Sequence, residues 1–472
     1  MKVALVFPNL FTKNFLRNDS QIHPPLALGY LGAVLRNAGH EVSVIDASAE
    51  RLDGNKIVNR LKKGDFEIVG ITSNIASSIK AVQCAKIIRE RIPSIKVIMG
   101  GPWATVEYRG LLKQNLADVV VLGEGEVTFI ELLESIRNKN DFSRVNGIAF
   151  RDSNNNIIVT PSRPLIMNLD TLPFPAWDLL PKNGKYNFVH RKKPFYPIMT
   201  SRGCPYDCIH CTKIVHGYIY RKRSVTNVIA EIEYLVKNFN MKELLIIDDC
   251  FNLDIQRANE IFDEIIKRKF NIIINFSNGI RADFFDKNLA KKFYKAGVYA
   301  ISFGIESGNQ EIVNKIGKKL DLKAVENAVA LAKRFNILTK GFFIIGHPYD
   351  TFNTMMQTAS FARKIDLDFP HFFKSIPFPG TKMYDIIKTY GRLSVPSIRR
   401  VSDEIQGYTK KKAYFDIWNI NSEDIERAFI NSYRSFYLRP RKLIHIFFAC
   451  RSWSEMSWLI MAFIKIIIRY IF

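Results

Sequence analysis

The sequence predicts an α/β protein: a Rossmann-like, doubly wound layer first, then a partial (βα)6 barrel of the TIM type, then a helical carboxyl-terminal region. Three observations carry this. Up to about residue 140, short β-branched runs alternate with amphipathic stretches. From Tyr196 a second series of the same kind repeats six times, and beyond about residue 390 polar, basic helical patterns give way to a strongly apolar tail. Boundaries are therefore expected at residues 1–140, 141–195, 196–385 and 386–472.

In the first segment the expected strands are "KVALVFP", "EVSVID", "EIVGIT", "KVIMGG" and "DVVVLG". Helical stretches lie between them, such as "LALGYLGAVLRNAG", closed by Gly39, and "SIKAVQCAKIIRERI", closed before Pro93. Doubly wound sheets take ligands at the carboxyl ends of their strands. Here those ends carry Pro8, Asn9, Thr72 to Ile75, Gly100 to Trp103 and Gly123 to Glu126. The glycines either let the backbone approach a bulky ligand or only make tight strand-to-helix turns. Residues 141–195 open with a strand-like "NGIAFRD". They continue as "SRPLIMNLDTLPFPAWDLLP", whose prolines forbid a regular element and suggest an extended strap.

The second series has strand candidates "YPIMTS", "ELLIID", "NIIINFS", "YAISFGI", "KGFFII" and "HFFKSI". Helices are expected near 225 to 239, 256 to 269, 286 to 296, 321 to 336 and 353 to 366. In the first of these Val225, Val228, Ile229, Ile232, Leu235, Val236 and Phe239 form one stripe, which suits packing on a sheet. Barrels of this kind place their chemistry on the loops that follow strands.

Composition sets the outer limits. A chain of 472 residues, 47% hydrophobic, has material for two or three globular domains. Six cysteines in this length, with no charged-then-apolar leader after Met1, argue against a secreted disulfide scaffold and for a reducing, cytoplasmic setting. Cys84, Cys250 and Cys450 read as buried apolar residues. The net charge of +23 would serve nucleic acid, an anionic membrane face, acidic ligands or solubility alike. No zinc finger, RRM signature or arginine-rich arm accompanies it, which argues against nucleic acid.

Half of the thiols lie in "TSRGCPYDCIHCTK", at Cys204, Cys208 and Cys211, directly after the first strand of the barrel series. Thiolates are natural ligands of iron-sulfur clusters, and three leave one iron of a cubane without a protein ligand. The alternative is a structural zinc with His210 or His216 as fourth ligand, or thiols with no metal. His210, wedged between Cys208 and Cys211, is badly placed to converge with both on one tetrahedral ion.

The spacing C-x3-C-x2-C in "RGCPYDCIHC" resembles that of the radical S-adenosylmethionine superfamily. So do "IDDCFNLD", "GIRAD", "SFGIESG", "KGFFIIGHPYDT" and "PFPGTKMY" after successive strands. Together with the first segment, the pattern over about residues 1 to 390 is similar to the cobalamin-binding class, which includes anaerobic magnesium-protoporphyrin ester cyclases and many carbon methylases. The resemblance implies that Cys204, Cys208 and Cys211 hold a 4Fe-4S cluster whose remaining iron chelates S-adenosylmethionine. It places His210 beside the adenine and Asp248, Asp249 and Glu306 at the methionine amine or ribose; buried hydrogen bonding or helix capping is the alternative for Asp249 and Glu306. It brings the backbone from Gly341 to Gly346 to the adenine edge. Pro8, Ser73, Gly100, Gly101 and Gly123 would contact cobalamin. The D-x-H-x-x-G sextet of some cobalamin domains is missing, so no histidine would serve as lower cobalt ligand, and a domain that has lost the cofactor is the alternative.

The implied activity is formation of a 5'-deoxyadenosyl radical, followed by methylation of an unactivated carbon of a small-molecule or lipid-like substrate. Oxidative ring closure without methyl transfer is the second reading, and a non-catalytic cluster and corrinoid sensor the third. A low-potential donor such as flavodoxin or ferredoxin is the expected partner. Tyr206, His347, Phe372 and Phe378 suit either a substrate pocket or packing. The tail from Met456 to Phe472 is 17 residues long with Lys465 and Arg469 on one helical face, which is short for a spanning helix. It reads either as an interfacial helix at the inner membrane face, with Trp453 and Trp458 at headgroup depth, or as a helix docked on the protein.

Overall fold

The computed structural model describes residues 1–9, 21–188, 190–394, 413–418, 420–442, 444, 451–453, 455–457 and 460. Two compact units emerge, one of Met1–Tyr186 with Lys213–Gly217, the other of Asn187–Thr212, Tyr218–Pro396 and the described residues from 413 onward.

In the first unit five strands run parallel: Lys2–Phe7, Glu41–Asp46, Ile68–Thr72, Lys96–Gly100 and Val119–Val121. All are rich in Val and Ile because helices cover both faces of a parallel sheet. Their order across the sheet begins with Glu41–Asp46, then Lys2–Phe7, then Ile68–Thr72, so the chain reverses its direction of travel beside Lys2–Phe7. That reversal opens a crevice at the carboxyl ends of Lys2–Phe7 and Ile68–Thr72. The strand-like "NGIAFRD" becomes Ile148–Arg151, which pairs antiparallel with Val119–Val121 and with Ile157–Val159 to finish the sheet. The proline-rich stretch then lies along this unit. Ala176 N–H donates to the Gly29 carbonyl at 3.0 Å, and a side chain at Gly29 would meet Pro175 Cβ at 2.9 Å.

In the second unit six strands pair in chain order, all parallel: Phe195–Ile198, Glu243–Ile246, Ile273–Phe276, Val298–Glu306, Leu338–Ile345 and Phe369–Lys374. The first and sixth are the two edges of this curved sheet. Helices Val225–Phe239, Ile255–Arg268, Lys287–Lys295, Leu322–Arg334 and Phe352–Lys364 fall where the apolar stripes predict, each with a side-chain N-cap. Between strands and helices Phe251, Phe262, Phe276 and Phe293 stack with ring centroids 4.4 to 6.2 Å apart. Helix Ser422–Tyr437 covers the last strand, where Tyr433 and Tyr437 donate to the carbonyls of Phe372 and Pro370.

At the amino-terminal end of the barrel Glu243, with no solvent exposure, accepts from Arg191 N–H, Lys192 N–H and Tyr299 Oη at 2.7 to 2.8 Å. Arg191 also holds Glu455 at 2.7 Å. Of Met456 to Phe472 only 456, 457 and 460 are described, so the reading of the tail lies outside the described residues, as does Cys450. No helix among the described residues is long and apolar enough to cross a membrane.

Two buried carboxyl groups give predictions. Glu231 is fully buried and pairs with Arg223 in the barrel wall. Arg223→Ala leaves that carboxylate without a counter-charge and should lower stability by roughly 3–5 kcal/mol in chemical denaturation. Asp46, at a strand end and fully enclosed, has its pKa pushed up by burial to about 6 from 3.8. The folded state therefore binds this proton more tightly than the unfolded chain, and stability falls as pH rises through that window. Asp46→Asn should raise the melting temperature at pH 8, by up to roughly 3 kcal/mol of stability, and do little at pH 4.

Candidate active site

Gly203 bends the chain out of the first barrel strand with φ +82°, and the three cysteines follow on this loop. The segment after the second strand runs beside it, and the two are joined step by step. Asp248 accepts from Thr200 N–H at 2.6 Å, Thr200 Oγ1 at 2.5 Å and Ser201 Oγ at 2.6 Å. One residue on, Asp249 Oδ2 accepts from Gly203 N–H at 2.9 Å. One residue further, Cys250 lies beside Cys204. Asp248 is 1% exposed, so its carboxylate is consumed in bracing the loop.

The other flank is held by the turn after the fourth strand. Ile209 N–H donates to the Ile316 carbonyl, and the backbone at Gly317, φ +73°, passes so close that a side chain there would meet the Asp207 carbonyl at 2.7 Å. Cys208 Sγ contacts the Gly317 carbonyl at 3.8 Å. The hydrogen bond that Cys208 and Cys211 share draws the Cys208 thiol down and pushes that of Cys211 up, while the Lys318 charge favours the thiolate of both.

Glu306 closes the fourth strand in a left-handed conformation, φ +70°, rare for a residue with a side chain. Burial raises its carboxyl, but Lys318 and His210 outweigh burial and hold it below the usual range. Lys318 Nζ lies 2.9 Å from Glu306 Oε1, and His210 Nε2 lies 4.0 Å from the same oxygen. The His210 ring is 5.5 Å from that of His347, which burial keeps neutral with a pKa of about 4. His210, Glu306, Lys318 and the cysteine loop thus form one constellation. Gly341 and Gly346 lack side chains for a packing reason: a Cβ at Gly341 would strike Leu367 at 2.4 Å, and at Gly346 it would strike Ile425 at 2.7 Å. Phe372, 1% exposed, packs on Phe343.

Sequence reasoning missed two residues. Lys318 and Arg281 supply positive charge beside the thiols, and Arg281 lies 3.7 Å over the Tyr206 ring. Their only signals were "IGKKL" and "GIRAD" after barrel strands. Cys250 is buried as expected, at 2% exposure, and lies beside Cys204. Cys84 does sit in the apolar core of the first unit.

In the first unit, Ser73 N–H donates to the Gly100 carbonyl at 2.9 Å and the Ser73 carbonyl accepts from Trp103 N–H, which brings Ser73, Gly100 and Gly101 together. Pro8 is joined through its carbonyl to Ser48, and Gly123 through its N–H to Thr105. The glycines differ in purpose. At Gly101, φ +96°, a Cβ would strike the Ser73 carbonyl at 2.6 Å, so the turn demands glycine. Beside Gly100 and Gly123 the nearest atoms to such a Cβ are 3.6 and 3.9 Å away, ordinary contact distances, so close packing does not exclude a side chain at either position.

Three thiols spread around one loop suit a cluster that takes one sulfur per iron. Among the described residues no three His, Cys, Asp or Glu side chains gather as a single ion requires.

Comparison with known proteins agrees. Residues 15–133 match the model of the B12 binding domain, and residues 198–362 that of the radical SAM superfamily. A protein of Pyrococcus horikoshii described as an uncharacterized methyltransferase is 34% identical over 447 residues, 94% of each chain. The anaerobic magnesium-protoporphyrin IX monomethyl ester cyclase of Rubrivivax gelatinosus is 28% identical over 389 residues, 81% of this chain and 69% of that one. The fold is that of the radical S-adenosylmethionine methyltransferase TsrM from Kitasatospora setae, solved with cobalamin and a [4Fe-4S] cluster: TM-score 0.69, 20% identity, 82% of this chain and 78% of that one. A cysteine loop at a barrel mouth and a glycine-lined switch point, matched in turn by these two models and by a relative along nearly its whole length, make this chain a member of the cobalamin-binding class of radical S-adenosylmethionine enzymes.

Proposed function

We propose that this enzyme methylates an unactivated carbon of a small-molecule or lipid-like substrate. The observation that carries the reading is the cysteine loop, stitched on one side to Asp248 and Asp249 and closed on the other by the turn bearing Lys318. When bound, the reduced cluster supplies the electron that splits the sulfonium of S-adenosylmethionine, and cobalamin supplies the methyl group.

The chain's own residues supply placement and charge. Cys204, Cys208 and Cys211 hold the cluster, and Asp248 and Asp249 fix the loop on which they stand. His210, Glu306 and Lys318 flank the S-adenosylmethionine; Glu306, kept ionised by Lys318, is an acceptor for the ammonium or ribose hydroxyls. With the far side of the backbone at Gly341 and Gly346 packed against Leu367 and Ile425, the fifth strand can lie flat along the adenine. Residues 1–140 take cobalamin against Pro8, Ser73, Gly100, Gly101 and Gly123, without a histidine below the cobalt. Residues 141–195 form the strap, 196–385 the barrel, and 386–472 a carboxyl-terminal region whose apolar, basic tail suits attachment to the cytoplasmic face of a membrane. A flavodoxin or ferredoxin delivers the electron.

The cyclase relative supports a second reading, oxidative ring closure without methyl delivery. Incubating the reduced enzyme with S-adenosylmethionine and candidate substrates separates the two. Methylation should yield both 5'-deoxyadenosine and S-adenosylhomocysteine with a product heavier by one methylene in mass spectrometry; 5'-deoxyadenosine without S-adenosylhomocysteine, and a product that has lost hydrogen, would instead establish cyclisation. Cys204→Ala should abolish both the brown absorbance of the reconstituted protein and 5'-deoxyadenosine production, and turnover by that variant would overturn the ligand assignment.

A further inference from the structure

The fifth barrel strand, Leu338–Ile345, divides its side chains between two unlike surroundings. Thr339, Gly341, Phe343 and Ile345 are buried on the outer face, where Thr339 bonds Asp368 and Phe343 stacks on Phe372. Leu338, Lys340, Phe342 and Ile344 point the other way, into the bore, and each keeps some exposure. The sixth strand repeats the pattern: Pro370 and Phe372 lie under helix Ser422–Tyr437, while Phe369, His371 and Phe373 line the inner face. An inner row more exposed than the outer one means that side chains do not fill the bore beside these two strands.

Into that space Lys340 brings an ammonium group with no ion pair and no hydrogen bond among the described residues. Glu455, Glu243 and Arg191, at the amino-terminal end of the barrel, act on it only through space. Both carboxylates are already engaged, Glu243 by Arg191 N–H, Lys192 N–H and Tyr299, and Glu455 by the Arg191 guanidinium. Burial outweighs their attraction and presses Lys340 down to about 8. His371 is neutral, lowered to about 4 by burial and by the Lys340 charge. Asn275, 1% exposed, also faces inward, since its neighbour Phe276 stacks among the helix phenylalanines on the outer face. Its Oδ1 has no hydrogen-bond partner, and the register Asn275 to Ala300 to Leu338 sets it on the same inner surface as Lys340.

We propose that Lys340 anchors an anionic head of the substrate, a carboxylate or a phosphate, inside the bore, with the Asn275 amide as a second polar contact and Phe342 and Phe369 against the apolar body. The proposal rests on the reading of this chain as an enzyme that acts on a bound carbon substrate, and it narrows that substrate to an anionic one. A buried cation without a counter-charge is unfavourable, and an anion on the guest removes the penalty. Were Lys340 there to neutralise Glu243 or Glu455, it would stand within ion-pair reach of one of them.

The test is isothermal titration calorimetry of the anaerobically reconstituted protein with three probes of one chain length: octanoate, octyl phosphate and octanol. The parent should bind at least one of the anions about ten- to hundredfold more tightly than the alcohol, the effect of one hydrogen bond to a charged group. Which anion is preferred identifies the head group. Lys340→Met, which keeps the stem and removes the charge, should lose the preference and bind the alcohol as before, and Lys340→Gln should behave alike. Equal affinity of the parent for anions and alcohol, or binding of none of the three, overturns the proposal even if the variants fail to fold; so does an anion preference that survives in either variant. Iron content and 5'-deoxyadenosine formation in the same samples test the underlying reading separately. Their absence from the parent removes that reading whatever the probes do, and their presence without an anion preference removes the proposal alone.

Discussion

The mouth of the barrel depends on one main-chain residue clamped by two opposite charges. Asp248 takes the N–H of Thr200, and Arg257 Nη2 donates to the carbonyl of the same residue at 2.7 Å. Arg257 Nε also holds the Arg223 carbonyl at 2.8 Å. Hydrogen bonds to charged groups contribute about 1.5–3 kcal/mol each, and Asp248 accepts three. Burial pushes the Asp248 carboxyl above its usual range, and the nearby Arg257 charge with the bonds from Thr200 and Ser201 offsets part of that. Four residues beyond the clamp the cysteines begin. A loop rich in turn residues would otherwise be the most mobile part of the unit.

Charge then grades outward from this clamp. Lys318 and Arg281 both place positive charge near the thiols, with the Arg281 guanidinium donating to the Lys318 and Lys319 carbonyls, and Glu306 faces Lys318. A negatively charged inorganic group next to an anionic side chain would be unfavourable if Lys318 did not lie between them electrostatically. The strained backbone at Glu306 follows a register shift between Gly304 and Glu306 in the pairing with the fifth strand. The irregularity turns the carboxylate out of the sheet and toward Lys318 and His210.

Much of this was legible in the sequence. Apolar periodicity located the strands and helices of both units to within a few residues, because buried parallel strands and amphipathic helices leave patterns of different period. The cysteine spacing identified the loop for the same reason: its three thiols are neighbours in the chain. What escaped depends on contacts distant in sequence. Lys318 reaches Glu306 from beyond the intervening helix Gln310–Lys315, Arg281 arrives from the third strand's loop, and Asp248 and Asp249 reach back to the loop after the first strand. Gly341 and Gly346 carry a reason the motif did not reveal: side chains there would strike Leu367 and Ile425, which pack against the backbone from elsewhere in the chain. The carboxyl-terminal tail remains a matter of composition, since its residues fall almost wholly outside those described.

The six-stranded sheet ends in two edges, Phe195–Ile198 and Phe369–Lys374. In a closed barrel the girth is set by strand number and stagger, and changing it means breaking main-chain bonds. Here the ring is a cuff with a gap. Its bore is not enclosed by a continuous main-chain ladder among the described residues, and the cysteine loop is rooted at the first of its two edges.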